Sequence, residues 1–275
     1  MTKYVADSSC DVMTAYFDNF YSIPLIISTD EKEYVDNSEL KVSEMLDYLA
    51  AYKGRSYSAC PSPEGWLNAY EGADEIYVVT ITSKLSGAYS SANIAKDMYL
   101  SDHPDAKICI IDSLSTGPEM RLVLEKIMEL KSKGIEFEQV ENEVREYLKS
   151  TRLFFVLKSL HNLAQNGRIN KAVAAAIGML HIGILGTASE EGDVEPINKC
   201  RGDKRTIAGA VDEMKKAGYS GGKVRMCYVE NDELARAIEA RIRQEFADAD
   251  VVIYPAGGLC SYYAERGGLI IGCEC

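Results

Sequence analysis

Two strings in this chain carry side chains in an arrangement that could do chemistry. Gly218-Tyr219-Ser220-Gly221-Gly222 matches G-x-S-x-G, the pattern in which a serine on a tight turn becomes a nucleophile. That geometry needs a strand before the serine and a helix after it. The residues around 218–222 read the other way, helix then strand, so a glycine helix cap and a turn are expected there. Thr82-Ser83-Lys84-Leu85-Ser86-Gly87 has the productive context: a β-rich run over 75–81 leads in and a helical pattern over 88–98 leads out. Gly87 lets the backbone approach a ligand closely, Ser83 and Ser86 supply hydroxyls, and the free N–H groups at a helix start attract negative charge. A carboxylate or a phosphate fits such a turn.

Other chemistries find little support. There is no G-x-x-x-x-G-K-[ST] and no G-x-G-x-x-G, so the usual nucleotide cradles are missing. Acidic pairs such as Asp30-Glu31 and Glu190-Glu191 sit in polar turns, where solvated charge is the expected role. Of the eight cysteines only Cys273 and Cys275 are close together, and the three histidines have no ligand spacing to any of them. No metal site is expected, and the thiols are read as reduced and partly buried.

The elements that must position the turn follow from periodicity. Strands over 3–6, 75–81 and 106–111 each end in a hydroxyl-rich turn, namely Asp7-Ser8-Ser9, the 82–87 segment and Asp112-Ser113-Leu114-Ser115-Thr116-Gly117. Between and after them lie helices, one carrying Met120, Val123, Leu124, Ile127 and Leu130 on a single face and one over 137–148. Such alternation predicts parallel βαβ units with ligands at the carboxyl ends of the strands. A new apolar run starts near Thr151. Beyond it the pattern predicts strands over 152–157, 181–188, 194–200, 223–229, 251–254 and 268–272, helices over 170–179, 203–217 and 232–246, and a hairpin turn at Ser189-Glu190-Glu191-Gly192. The expected fold is therefore α/β with two domains: an N-terminal parallel-sheet Rossmann-like domain over 1–150 and a C-terminal α/β domain with a mixed or antiparallel sheet over 151–275, the ligand cleft between them.

A length of 275 residues suits two domains of ordinary size. A net charge of -12 opposes phosphate backbones and anionic lipid surfaces, which argues against nucleic acid as a partner. Apolar runs such as 173–180 and 251–256 are far below the roughly 20 residues of a membrane span, so no membrane insertion is expected. Asp7 interrupts the start where a signal peptide would need an apolar stretch, and a cytoplasmic location is the expectation.

Taken together, several short segments resemble the DegV family of bacterial fatty-acid-binding proteins. They are Asp7-Ser8-Ser9-Cys10-Asp11 (D-S-S-x-D), Ser58-Ala59-Cys60-Pro61-Ser62-Pro63 (T-S-Q-P-S), Ser83 to Ala92 (S-x-L-S-G-T-Y-Q-S-A), Ile111-Asp112-Ser113, Asn166-Gly167-Arg168-Ile169 (G-G-R-I) and Arg201-Gly202-Asp203-Lys204-Arg205. They extend over most of the chain in the family's order. The resemblance implies a long-chain fatty acid held between two α/β domains, its carboxylate on hydroxyls and its tail buried, with no cofactor and no catalysis by the chain itself. A separate fatty acid kinase would act on the presented acyl group. By position, Ser58 stands where the family has a carboxylate-contacting threonine, Ser83, Ser86 and Gly87 belong to the second contact segment, and Arg168 to a surface that meets the kinase.

One departure bears on the head group. Where the family places a histidine in H-x-G-P-G, this chain reads Tyr263-Ala264-Glu265-Arg266-Gly267. Tyr263, its neighbour Tyr262 and Arg266 are the candidate replacements: either phenol can donate a hydrogen bond, and Arg266 can supply charge. Two other functions compete: an enzyme acting on a phosphate or small acid, and a regulatory interaction module that has lost its ligand.

Overall fold

The computed structural model describes residues 1–12, 18–170 and 182–275. The chain begins with β1 (Thr2–Asp7), β2 (Phe20–Ile23), β3 (Ile26–Ser28), β4 (Glu33–Val35), α1 (Val42–Ala51), β5 (Tyr57–Ala59) and α2 (Pro63–Tyr70). It continues through β6 (Glu75–Thr80), α3 (Ala88–Asp102), β7 (Lys107–Asp112), α4 (Gly117–Ser132) and α5 (Phe137–Tyr147). From β8 (Thr151–Leu157) it passes to α6 (His161–Gln165), β9 (Ile182–Ala188), β10 (Val194–Arg201), α7 (Asp203–Lys216) and β11 (Lys223–Tyr228). The last elements are α8 (Asp232–Glu245), β12 (Asp250–Pro255), α9 (Gly258–Ala264) and β13 (Leu269–Glu274).

The α/β architecture expected from the pattern is present. One sheet runs β2-β1-β6-β7 with every pairing parallel. Its central strands are buried along nearly their whole length, as strands covered on both faces must be. The second sheet runs β10-β9-β8-β13-β11-β12 and is mixed: β11 and β12 are parallel, and the other pairings are antiparallel. Its hairpin turn falls at 189–193, where the Ser189 N–H donates to the Asp193 carbonyl and the Gly192 N–H to Ser189.

Helix α4 explains how the two sheets are joined. Met120, Val123, Leu124, Ile127 and Leu130 are buried as predicted, but Leu122 and Met128 are buried as well. The helix therefore packs on both sheets, not one. On the second sheet it comes so close to Gly272 that a side chain there would lie 2.6 Å from the Glu119 backbone nitrogen. Arg225 of β11 reaches Glu125 of α4 at 2.8 Å.

Two features were not anticipated. The strands β3, β4 and β5 form a small antiparallel sheet in the order β4-β3-β5, each too short to show a period. Helix α9 starts from Gly257-Gly258, residues of low helix propensity, and is held by tertiary contacts described below. The helix expected over 170–179 lies outside the described residues from 171 on. Among the described residues no helix is long and apolar enough to cross a membrane.

Candidate ligand-binding site

The face of β8 that looks toward the first half of the chain shows why a cavity forms. Alternate residues on a strand point to opposite faces. Phe154 and Val156 pack into the core beneath the second sheet, while Leu153, Phe155 and Leu157 line a cavity of about 340 Å³ on the other side. Ile270 of β13 joins that wall, and Leu25, Ile81, Leu163 and Leu259 close it from other elements. The lining is dominantly apolar with some polar groups among it, and its size is within the range of pre-formed small-molecule sites.

Those polar groups include most of the residues singled out above. Ser58 of β5 and Tyr263 of α9 face each other, their hydroxyl oxygens 2.7 Å apart. Only one of the two protons is used between them, so the pair keeps one O–H to donate to a ligand. The Ser86 hydroxyl accepts the Ala88 N–H at 3.2 Å at the start of α3, and its own proton is left to donate. Gly87 stands opposite Cys60, and a side chain at 87 would lie 3.1 Å from the Cys60 sulfur. Glycine keeps this rim open.

Other residues take different places. Ser83 is exposed and not among the cavity-lining residues; its backbone N–H donates to Asp112 Oδ1 at 3.1 Å. Arg168 lines the cavity and turns inward, donating from Nε to the Leu85 carbonyl at 3.0 Å and also to the Asn166 carbonyl. Its guanidinium thus braces the turn that presents Ser86. Tyr262 is fully buried and bound to Ser56 at 2.8 Å and Asn166 at 2.9 Å, away from the cavity. Arg266 is exposed and paired with Glu230 and Asp47. Of the three possible donors near the missing histidine, Tyr263 alone lines the cavity.

The segment Asp7-Ser8-Ser9-Cys10-Asp11 does not touch the cavity but ties its walls together. Asp7 accepts the Ile81 N–H at 2.8 Å, which fixes the end of β6 where the Ser86 turn begins. Asp11 accepts the Gly257 N–H at 2.9 Å. Asp36, from the loop after β4, accepts the Gly258 N–H at 2.7 Å, the Leu259 N–H at 3.0 Å and the Ser8 hydroxyl at 2.8 Å. Two carboxylates thus cap the N-terminus of α9, the helix that carries Tyr263. A helix start is where orphan N–H groups and a partial positive charge favour such partners.

Burial dominates the ionisation of these carboxyls. It raises Asp7 and Asp36 to about 6 and Asp11 to about 7, against the opposing pull of their hydrogen bonds. In the unfolded chain they titrate near the ordinary carboxylate value, so the folded state holds more protons between roughly pH 4 and 7. Their contribution to stability is therefore full below pH 4 and is lost as pH rises through 6 to 7. Asp11→Asn, which keeps an oxygen for the Gly257 N–H and cannot ionise, is expected to flatten this decline. Thermal unfolding from pH 5 to 8 checks it; an unchanged slope in the variant counts against Asp11 as a contributor.

The G-x-S-x-G string behaves as expected of a turn. Gly218 follows α7, Gly218, Gly221 and Gly222 all have positive φ, and Lys223 begins β11, so Ser220 is an exposed residue between a helix and a strand. Nothing in the sequence marks Asp36, because a lone acid between Val35 and Asn37 looks like a solvated charge. The same is true of the role of Arg168 as a brace.

Comparison with known proteins agrees with this geometry. Residues 1–273 match the family described as "Uncharacterised protein, DegV family". A DegV domain-containing protein of Streptococcus pneumoniae is 44% identical over 99% of this chain and 98% of its own length. A DegV family protein from Eubacterium eligens, solved loaded with heptadecanoic acid, is 50% identical and superposes with a TM-score of 0.97 over 100% of this chain and 99% of its own. The Fatty Acid Kinase (Fak) B3 protein of Streptococcus pneumoniae, solved loaded with linoleic acid, is 43% identical with a TM-score of 0.98 over the same shares. With its sequence matched nearly from end to end and its fold reproduced throughout, the chain belongs to the DegV family.

Proposed function

We propose that this protein binds a long-chain fatty acid, with the carboxylate at Ser58, Ser86 and Tyr263 and the acyl tail along Leu153, Phe155, Leu157 and Ile270. The observation that carries this reading is the cavity itself: a mainly apolar lining that includes the hydroxyls of Ser58, Ser86 and Tyr263, on a fold shared with relatives solved with fatty acids. Burial of about ten methylenes at roughly 0.8 kcal/mol each offers on the order of 8 kcal/mol, which equals a Kd of about 1 μM before ordering costs, so the head-group bonds must offset what ordering takes. Hydroxyl bonds to the carboxylate then set the register of the tail.

The chain acts as a cytoplasmic carrier without catalysis of its own and presents the acid to a separate fatty acid kinase, a role supported by its likeness to the Fak B3 protein. Arg168, half buried beside the Ser86 turn, stands at the edge from which a kinase would reach the carboxylate. Native mass spectrometry of the protein purified from cells tests the ligand. A mass increment matching fatty acids is expected. A small polar adduct would favour an enzyme, and an empty chain that also fails to take up linoleic acid would favour an interaction module.

A further inference from the structure

Cys273 and Cys275 lie outside the ligand cavity, and we propose that they form a peroxide-responsive thiol pair that closes to an intramolecular disulfide. Side chains two apart on a strand share a face, and here the sulfurs lie 3.6 Å from each other, both thiols free. Within a regular strand such a pair is held apart by the pleat, at a Cα separation of about 6.6 Å that lies at the upper limit for a disulfide. Cys275 escapes that restraint. The ladder between β13 and β8 ends at the Glu274–Thr151 pair; beyond it the Cys275 N–H donates to the Ser150 carbonyl and the sulfur accepts from the Tyr219 backbone.

The two thiols are also unequal. Cys273 is buried in the core of the second sheet, opposite Arg152 of β8, whereas Cys275 is only partly buried. The Cys273 thiol donates toward Cys275 and holds it below the ordinary cysteine range, helped by Arg152 and opposed by burial and Glu119. Cys273 is correspondingly pushed up. Thiolate character therefore falls on the less buried residue of the two.

The chemistry balances with a peroxide as oxidant. The Cys275 thiolate attacks the O–O bond, forming a sulfenic acid and releasing one water after proton uptake. The Cys273 thiol then attacks the Cys275 sulfur, the S–O bond breaks, a second water leaves and the disulfide forms. Two thiols are oxidised and one hydrogen peroxide is reduced. A low-molecular-weight thiol reverses the closure by exchange.

The test is to treat the full-length reduced protein with one equivalent of hydrogen peroxide and map the thiols by alkylation and mass spectrometry. Loss of two of the eight thiols, with two hydrogens fewer in the peptide that spans 273–275, is the expected result. The Cys273→Ser variant is expected to stop at a sulfenic acid on Cys275, trapped by dimedone. The proposal is overturned if both thiols stay alkylatable while the exposed Cys60 oxidises, or if Cys275 of the unmodified sequence proceeds to sulfinic acid without a disulfide.

Discussion

Replacing Ser86 by alanine and Tyr263 by phenylalanine together is expected to weaken linoleic acid binding by about a hundredfold or more. Each substitution removes a hydroxyl from the cavity lining while leaving the apolar walls intact. A hydrogen bond to an ionised carboxylate contributes roughly 1.5 to 3 kcal/mol, and two of them place the combined loss at about 3 to 6 kcal/mol if they act independently. They share one ligand group, so some non-additivity is expected and the lower end is the safer figure. The tail term must behave differently. A series of saturated acids should gain about fourfold in affinity per methylene, at roughly 0.8 kcal/mol each, and with the same slope in variant and parent. Displacement of a fluorescent fatty acid measures both. Less than a threefold loss in the double variant would mean that the carboxylate is held elsewhere, and a changed slope would mean that the tail has moved.

How much of this site was legible beforehand depends on the range of the contacts that build it. Ser86 and Gly87 were recognisable because strand, turn and helix follow one another within a few residues, and local order is what periodicity reports. Ser58 and Tyr263 were placed only through family resemblance. Ser58 lies on a three-residue strand, and Tyr263 on a helix opened by glycines, so neither has a local signature. Arg168 was assigned to a kinase-meeting surface by the same resemblance; its bond to the Leu85 carbonyl joins residues 83 positions apart, which no pattern along the chain encodes. The two sheets were predictable in kind, parallel then mixed. The double-sided burial of α4 was hidden because Leu122 and Met128 fall off the face that the apolar spacing highlights.

Asp36 is the residue whose removal should cost the fold most. Its exposure is 1%, and it serves three donors, the N–H groups of Gly258 and Leu259 and the Ser8 hydroxyl, while Ser8 in turn accepts the Leu25 N–H. Asp36→Ala leaves those donors without their partner at a buried position. At about 1 to 3 kcal/mol for each stranded group, less what is regained by no longer burying an acid that resists ionisation, the net loss is about 3 to 5 kcal/mol. For a chain of this length that lowers the melting temperature by about 10 °C. The damage should also be directional. Because the stranded N–H groups belong to the first turn of α9, hydrogen exchange at Gly258 and Leu259 should accelerate far more than at β6, whose end is held by Asp7. Since α9 carries Tyr263, saturating linoleic acid should restore part of the lost melting temperature, because a ligand that binds only the docked helix favours it by mass action. A drop of under 2 °C would remove Asp36 as the helix's anchor. A full drop with no rescue by linoleic acid would instead separate the anchoring of α9 from the binding of the ligand.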